Sequence, residues 1–266
     1  MEVQNIVVAG KSGAGKQPRI DVLLAEFGLE QLSTGNIFRE YIGAFGKIRD
    51  KVSPEGLFKD GVFASDATLR AALEPAAKEA GVPVESALLG FKAAQYLENG
   101  LFVPDDLTNA LFAAAFKAHS GKGLVLDGYP RTADQSAFLL GLLKETGTRV
   151  DLLLIVDNDD EAIVKRTVGR RICPNKACGK VYHVEFKPPG PDGKCTACGT
   201  PVVQRSDDTE EKIRTRLQEF KDKALASIDA LIRAGVKSVH VPGNLPVFTD
   251  EAVRESVLGA IEPVLG

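Results

Sequence analysis

The chain is patterned for a doubly wound α/β fold, a parallel sheet with helices on both faces, and three observations predict it. Short continuous apolar runs recur at Ile6-Val7-Val8-Ala9, Leu124-Val125-Leu126, Leu152-Leu153-Leu154-Ile155-Val156 and Val239-His240-Val241, the mark of strands buried on both sides. Helix-like segments separate them. A glycine-rich turn follows the first run, at the carboxyl end where such sheets bind ligands.

Composition bounds what the fold can do. With 266 residues, 44% hydrophobic and 26% charged, the chain has room for a proper core. A formal charge of −3 and a pI near 5.8 argue against general nucleic-acid or anionic-membrane binding, which needs a basic surface. No secretory signal and no bilayer-length apolar run is visible, so a cytoplasmic protein is expected. Four cysteines then read as metal ligands or buried thiols before disulfides.

The first apolar run ends at Gly10, and Gly10-Lys11-Ser12-Gly13-Ala14-Gly15-Lys16 has the glycine spacing and lysine of a phosphate-binding loop. Glycines let backbone N–H groups turn inward around phosphate oxygens, the next helix points its positive end at them, and the lysine adds charge. The usual hydroxyl after the lysine is absent. Gln17-Pro18 stands there, and proline brings neither a hydroxyl nor an N–H. A weaker strand is expected to end at Leu32.

From about Gly43 to Glu85 the pattern is helical. Ser65-Asp66 is placed to cap a helix with Leu69, Ala72, Leu73, Ala76 and Ala77 on one face, ended by Gly81-Val82-Pro83. A further helix is expected from Val84 to Glu98, stopped by Asn99-Gly100. Nothing in this segment suggests chemistry, and it reads as a surface elaboration or an oligomer contact.

After the second strand run, Asp127-Gly128-Tyr129-Pro130-Arg131-Thr132 puts a carboxylate at the strand end and an arginine one turn later. The pair suits water-mediated hold of magnesium and a bidentate clamp on phosphate. An isolated copy would equally serve as a helix cap and a solvated arginine.

Several motifs in order make the copy less isolated. Ser33-Thr34-Gly35-Asn36-Ile37-Phe38-Arg39, the Asp127 to Thr132 stretch, Val168-Gly169-Arg170-Arg171, Val181-Tyr182-His183 and Arg205-Ser206-Asp207-Asp208 resemble the signature of adenylate kinases. The match covers most of the chain apart from the extra segment. The resemblance implies a parallel-sheet core of 1–32, 105–168 and 209–266, an enlarged AMP-binding insertion of 33–104 and a zinc-bearing lid of 169–208. It implies magnesium-dependent phosphoryl transfer between ATP and AMP by a monomer. ATP would lie on Gly13, Ala14, Gly15, Lys16 and Gln17, with Arg166 and Arg170 beside it and Val181, Tyr182 and Leu245 lining its base. AMP would meet Thr34, Arg39, Gly128, Arg131 and Gln135, with Phe102 and Val103 near adenine. Arg205 and Arg216 would reach in from the lid and hinge, and Lys16, Asp127, Arg131, Arg170, Arg205 and Arg216 would carry the transfer.

The cysteines fall inside the lid segment. Cys173 and Cys178 are separated by four residues and Cys195 and Cys198 by two, a knuckle-like pattern that suits tetrahedral thiolate zinc, with Gly179 and Gly199 allowing the turns. Four closed ligands make that zinc structural. The wider first pair departs from two-residue spacing, so the first knuckle is expected to loop out. Four unconnected thiols remain the plain alternative. Three other readings stay open: a nucleotide-binding relative weakened at Gln17-Pro18, a kinase for another nucleoside monophosphate, and a nucleic-acid-binding zinc ribbon. Glu185 and Asp192 in the loop stand against the last.

Overall fold

The computed structural model describes residues 3–59, 61–99, 103–175, 177–205, 208–247 and 249–265. Its centre is a five-stranded sheet with every neighbouring pair parallel, formed by β1 (Asn5–Ala9), β2 (Glu30–Ser33), β5 (Leu124–Asp127), β6 (Leu152–Asp157) and β9 (Ser238–Pro242), in the order β2-β5-β1-β6-β9. The four apolar runs and the weaker strand at Leu32 are these five. Side-chain alternation sends Val7, Leu126, Leu153 and Ile155 into one buried cluster and Ile6, Val8, Val125, Leu154 and Val156 into another, so each face has its own core. The first is covered by α5 (Asp105–Ala118), α6 (Ala133–Thr146) and α9 (Leu225–Arg233). The second is covered by α1 (Lys16–Phe27), α7 (Asp160–Val168), α8 (Glu210–Glu219) and α10 (Asp250–Leu265).

The chain leaves β1 for β2 on one side and returns to β6 on the other. The turn after β1 therefore sits where strand order reverses, the place in an open sheet that is free to hold a ligand.

Two insertions stand on this frame. Between β2 and β5 lie α2 (Thr34–Gly46), the small antiparallel pair β3 (Phe58–Lys59) and β4 (Val62–Phe63), α3 (Asp66–Glu79) and α4 (Val84–Glu98). Ser65 caps α3 by accepting from the Thr68 amide, and α4 has the expected limits. Leu69, Leu73, Ala76 and Ala77 are buried, but Ala72 is exposed: the face packed on α4 is narrower than the apolar stripe, and an alanine costs little in water. Phe45, Ile48, Leu69, Leu73 and Phe91 form a third cluster, with Phe45 and Phe91 edge to face at 5.3 Å.

The second insertion pairs β7 (Arg170–Ile172) with β8 (Val181–His183) antiparallel, and Val203 adds a bridge to Ile172. Its own apolar cluster is little more than Cys173, Cys195 and Tyr182. A segment with so small a core needs another source of order. Beyond it, α8 runs into α9 through a π-helical turn, Phe220–Ala224.

Candidate functional site

The phosphate loop closes with the Ala14 amide donating to the Lys11 carbonyl at 3.0 Å. Gly15 caps α1 with a φ of 102, a left-handed conformation that glycine adopts without strain and that turns the next amides toward the mouth of the loop. The Lys16 ammonium folds over the loop's own carbonyls, 3.0 Å from Gly10 O and 3.1 Å from Lys11 O. Burial lowers its pKa, the Asp127 charge partly restores it, and Arg131 lowers it again. Lys16 follows β1, and Asp127 and Arg131 lie at the end of its parallel neighbour β5, so all three sit at the carboxyl edge of the two strands.

Asp127 ends β5 with one carboxylate oxygen accepting from the Gln31 amide at 3.0 Å; Gln31 in turn meets Gln17 at 3.1 Å. Gln17 thus points sideways along the helix start rather than over the loop, and it also donates to Asp21 at 2.9 Å. Pro18 occupies the first turn of α1, where its missing N–H disturbs no helical bond.

On the other side, the Thr34 hydroxyl donates to Gly128 O at 2.9 Å, and Arg131 Nε donates to the same carbonyl at 2.8 Å. Arg131 stays exposed. Gln135 is buried, and its amide is already engaged: its oxygen accepts from the Arg131 amide at 2.8 Å and its nitrogen donates to Asp105 at 2.7 Å. Asp105 also accepts from Thr132, the cap of α6, at 2.6 Å. Arg39 is exposed and bonded to Asn36. Val103 packs partly buried against the first cluster, and Phe102 lies outside the described residues.

The arginines approach from α7 and the lid. Arg166 donates to Gly13 O and reaches Gly243 O at 3.5 Å; burial, then the Arg170 charge, lowers its pKa. Arg170 makes a two-bond pair with Asp208, 2.6 and 2.9 Å, in which the Asp208 side chain is wholly buried. Arg205 is exposed on the strap into α8, and Arg216 is half-buried within α8. Leu245, after β9, packs on the second cluster. Lys11 joins the frame as well, donating to Asp160 at 2.5 Å, and Asp160 meets Lys221 of the π turn at 2.8 Å. These two lysines hold the Asp160 carboxyl below its usual range.

In the lid the four cysteine sulfurs lie within 4.8 Å of one another. Cys173 and Cys198 are 3.4 Å apart and Cys178 and Cys195 3.6 Å, too far for disulfides and near the edge of about 3.8 Å that a tetrahedron with metal–sulfur bonds of about 2.3 Å requires. Soft thiolates in that geometry suit a tetrahedral metal, and the alternative of unconnected thiols is excluded by their convergence. Gly179 and Gly199 have φ values of 58 and 74, the turns that follow the second cysteine of each knuckle. Tyr182, expected beside the ATP base, is buried here: its hydroxyl is 3.1 Å from Cys195 Sγ and accepts from the Thr196 amide at 2.8 Å. That hydroxyl pulls the Cys195 thiol down to about 6. Val181, its neighbour on β8, faces solvent, as strand alternation requires.

Asp208, Asp105, Gln31 and Arg19 also support the site. Only Asp208 carried a signal, its place in the Arg205 to Asp208 motif. The others act through partners remote in the chain.

A phosphate loop at the switch point of a parallel sheet, faced by a carboxylate and converging arginines, defines a nucleoside monophosphate kinase, a phosphotransferase. The family model described as "Adenylate kinase" matches residues 82–235, from the start of α4 through α9. Relatives named "Adenylate kinase" include one from Symbiobacterium thermophilum, 36% identical over 95% of this chain and 99% of its own. Another from Salinispora tropica is 34% identical over 94% of each, and one from Acholeplasma laidlawii 31% over 97% of each. The chain belongs to the adenylate kinase family. Among the described residues no helix is long and apolar enough to cross a membrane.

Proposed function

We propose that the chain catalyses the reversible transfer of a phosphoryl group from magnesium ATP to AMP, giving two ADP, as a cytoplasmic monomer. The observation that carries this is that the phosphate loop with Lys16 after β1 and the Asp127 to Arg131 turn after β5 leave the same edge of two paired parallel strands, linked through Gln17, Gln31 and Asp127. Phosphoryl transfer needs little covalent help; it needs alignment and neutralised charge. ATP phosphates rest on the loop from Gly13 and Ala14 to Gln17, met by the amides of Gly15, Lys16 and Gln17, with the Lys16 ammonium, Arg166 and Arg170 supplying charge and Val181 and Leu245 bordering the base. AMP binds across Thr34, Arg39, Gly128 and Arg131, its phosphate clamped by the arginines, with Val103, Phe102 and the Gln135 region near adenine. Arg205 and Arg216 approach from the lid and hinge.

Asp127, a hard oxygen donor, is the side chain that would hold the magnesium carried by the ATP substrate, since Pro18 offers no hydroxyl; that ion would offset phosphate charge. Cys173, Cys178, Cys195 and Cys198 would hold zinc, which would order the lid and take no part in transfer. Residues 1–32, 105–168 and 209–266 act as core, 33–104 as the AMP-side subdomain and 169–208 as the lid. A reducing compartment keeps the thiols ready for metal.

A coupled assay with ATP, AMP and magnesium tests this, run beside a panel of nucleoside monophosphates and elemental analysis. Turnover preferring AMP, abolished in a folded Lys16→Met variant, is expected. Measurable ATP binding without turnover at millimolar nucleotide would replace the kinase reading with that of a weakened relative.

A further inference from the structure

Arg19 heads the fully buried side chains by volume among the described residues, at 0% exposure. It lies three residues beyond Lys16 in α1, on the side of the phosphate loop away from its mouth. Its two terminal nitrogens donate to main-chain carbonyls: one to Gly15 O at 3.3 Å, the other to Pro242 O, at the end of β9, at 2.6 Å. Arg166 spans the same two segments in parallel, from Gly13 O to Gly243 O. The segments already touch. A Cβ on Gly243 would collide with the Ala14 carbonyl, the Gly243 amide donates to Asp157 O at 2.5 Å, and Asn158 donates to Ala14 O at 3.2 Å.

Burying a guanidinium beside a second one is costly, and burial, then the Arg166 charge, pulls the Arg19 pKa below its usual value. A packing role would be met more cheaply by an apolar chain, so the charge points to a task. Peptide geometry suggests which. In a trans peptide the carbonyl and the following N–H point in opposite directions. A charged donor on the Gly15 carbonyl from behind therefore holds the Lys16 N–H facing forward and polarises that unit, strengthening its pull on an anion. Arg166 on the Gly13 carbonyl braces the neighbouring peptide, whose Ala14 N–H closes the loop onto the Lys11 carbonyl. The loop has particular need of this support, because Pro18 removes both a hydroxyl and an N–H from its front.

We propose that Arg19 is a positioning residue for ATP, holding the phosphate loop in its anion-binding shape and locking it to the Pro242-Gly243 segment that leads to Leu245. The proposal rests on the assignment of this loop to ATP. Arg19 never touches the nucleotide, and it serves the ATP side alone, because Thr34 and Arg131 are anchored to Gly128 instead.

The test is Arg19→Gln and Arg19→Lys, with KM for ATP and for AMP, kcat, melting temperature, and titration calorimetry with ATP and with inorganic tripolyphosphate. The glutamine variant should raise the ATP KM and the tripolyphosphate Kd by about tenfold while the AMP KM stays within about twofold. Lysine keeps the charge but cannot span both carbonyls, so it should recover part of the loss. Equal changes in both KM values, or a lower melting temperature with ATP binding unchanged, would overturn the proposal in favour of a purely structural arginine. If the glutamine variant does not fold, the lysine variant decides: an ATP KM equal to that of the parent chain overturns it. If the parent shows no turnover, the kinase reading fails, while the tripolyphosphate titrations still report on Arg19.

Discussion

Replacing Asp208 with asparagine isolates the contribution of one buried charge to the lid. The Asp208 side chain is 0% exposed and Arg170 28%, joined by bonds of 2.6 and 2.9 Å. Asparagine keeps the shape and one acceptor but turns an N–H group toward a guanidinium that has nothing to accept it. Losing a charge-assisted bond of this kind costs roughly 1.5 to 3 kcal/mol. Arg170 retains access to water and can turn outward, which reduces the figure to about 2 kcal/mol. In a chain of this size that corresponds to a fall in melting temperature of about 4 to 8 °C. The same change frees the Arg170 head from its anchor, so kcat should fall about tenfold, equivalent to about 1.4 kcal/mol of transition-state stabilisation. Differential scanning calorimetry and the coupled assay read the two effects, with metal content as a control. A melting temperature within about 1 °C of the parent, together with unchanged kcat, would show that the pair neither orders the lid nor positions the arginine.

Replacing Cys195 and Cys198 together with serine should release the metal and lower thermal stability chiefly through the lid; unchanged zinc content and melting temperature would refute the thiolate site. Burial holds the Lys16 pKa below 10.5, so its charge opposes folding while present, and that opposition is relieved as pH rises through the lowered value. ATP phosphates raise the value again, so ATP affinity should weaken, with proton uptake on binding, between the lowered pKa and the ordinary lysine range. A calorimetric Kd that stays flat across that window counts against a desolvated Lys16. Pro18→Thr returns a hydroxyl to the loop, and the KM for magnesium ATP should drop several-fold, about 1 kcal/mol; no change would mean that Asp127 already suffices.

How much the sequence disclosed depends on how far apart the interacting residues lie. Strands could be read because Ile6 to Ala9 or Leu152 to Val156 announce burial on both faces locally, and α4 because Pro83 and Asn99 bound it. The phosphate loop and the Asp127 to Thr132 turn are likewise contiguous. Ala72 was misplaced on the buried face because helical spacing gives a stripe but not the width of the partner's footprint. Long-range bonds had no local trace. Gln135 meets Asp105 across 30 positions, Arg170 meets Asp208 across 38, Gln31 meets Asp127 across 96 and Arg19 meets Pro242 across 223. Cysteine spacing gave the knuckles but not which sulfurs approach across them, nor that Tyr182 would turn its hydroxyl inward onto Cys195.

The third apolar cluster, from Phe45 and Ile48 to Leu73 and Phe91, makes the segment inserted between β2 and β5 a block with its own interior. Its largest side chains look at one another rather than at the sheet, and Ile42 is shared with the core cluster. A rotation of that block about the ends of α2 and α4 would carry its own interior along intact, while the seam where Tyr41, Leu89 and Ala93 meet the first cluster would have to slide. Movement of the block as a unit would then draw on that seam and on hinge torsions rather than on unpacking its interior.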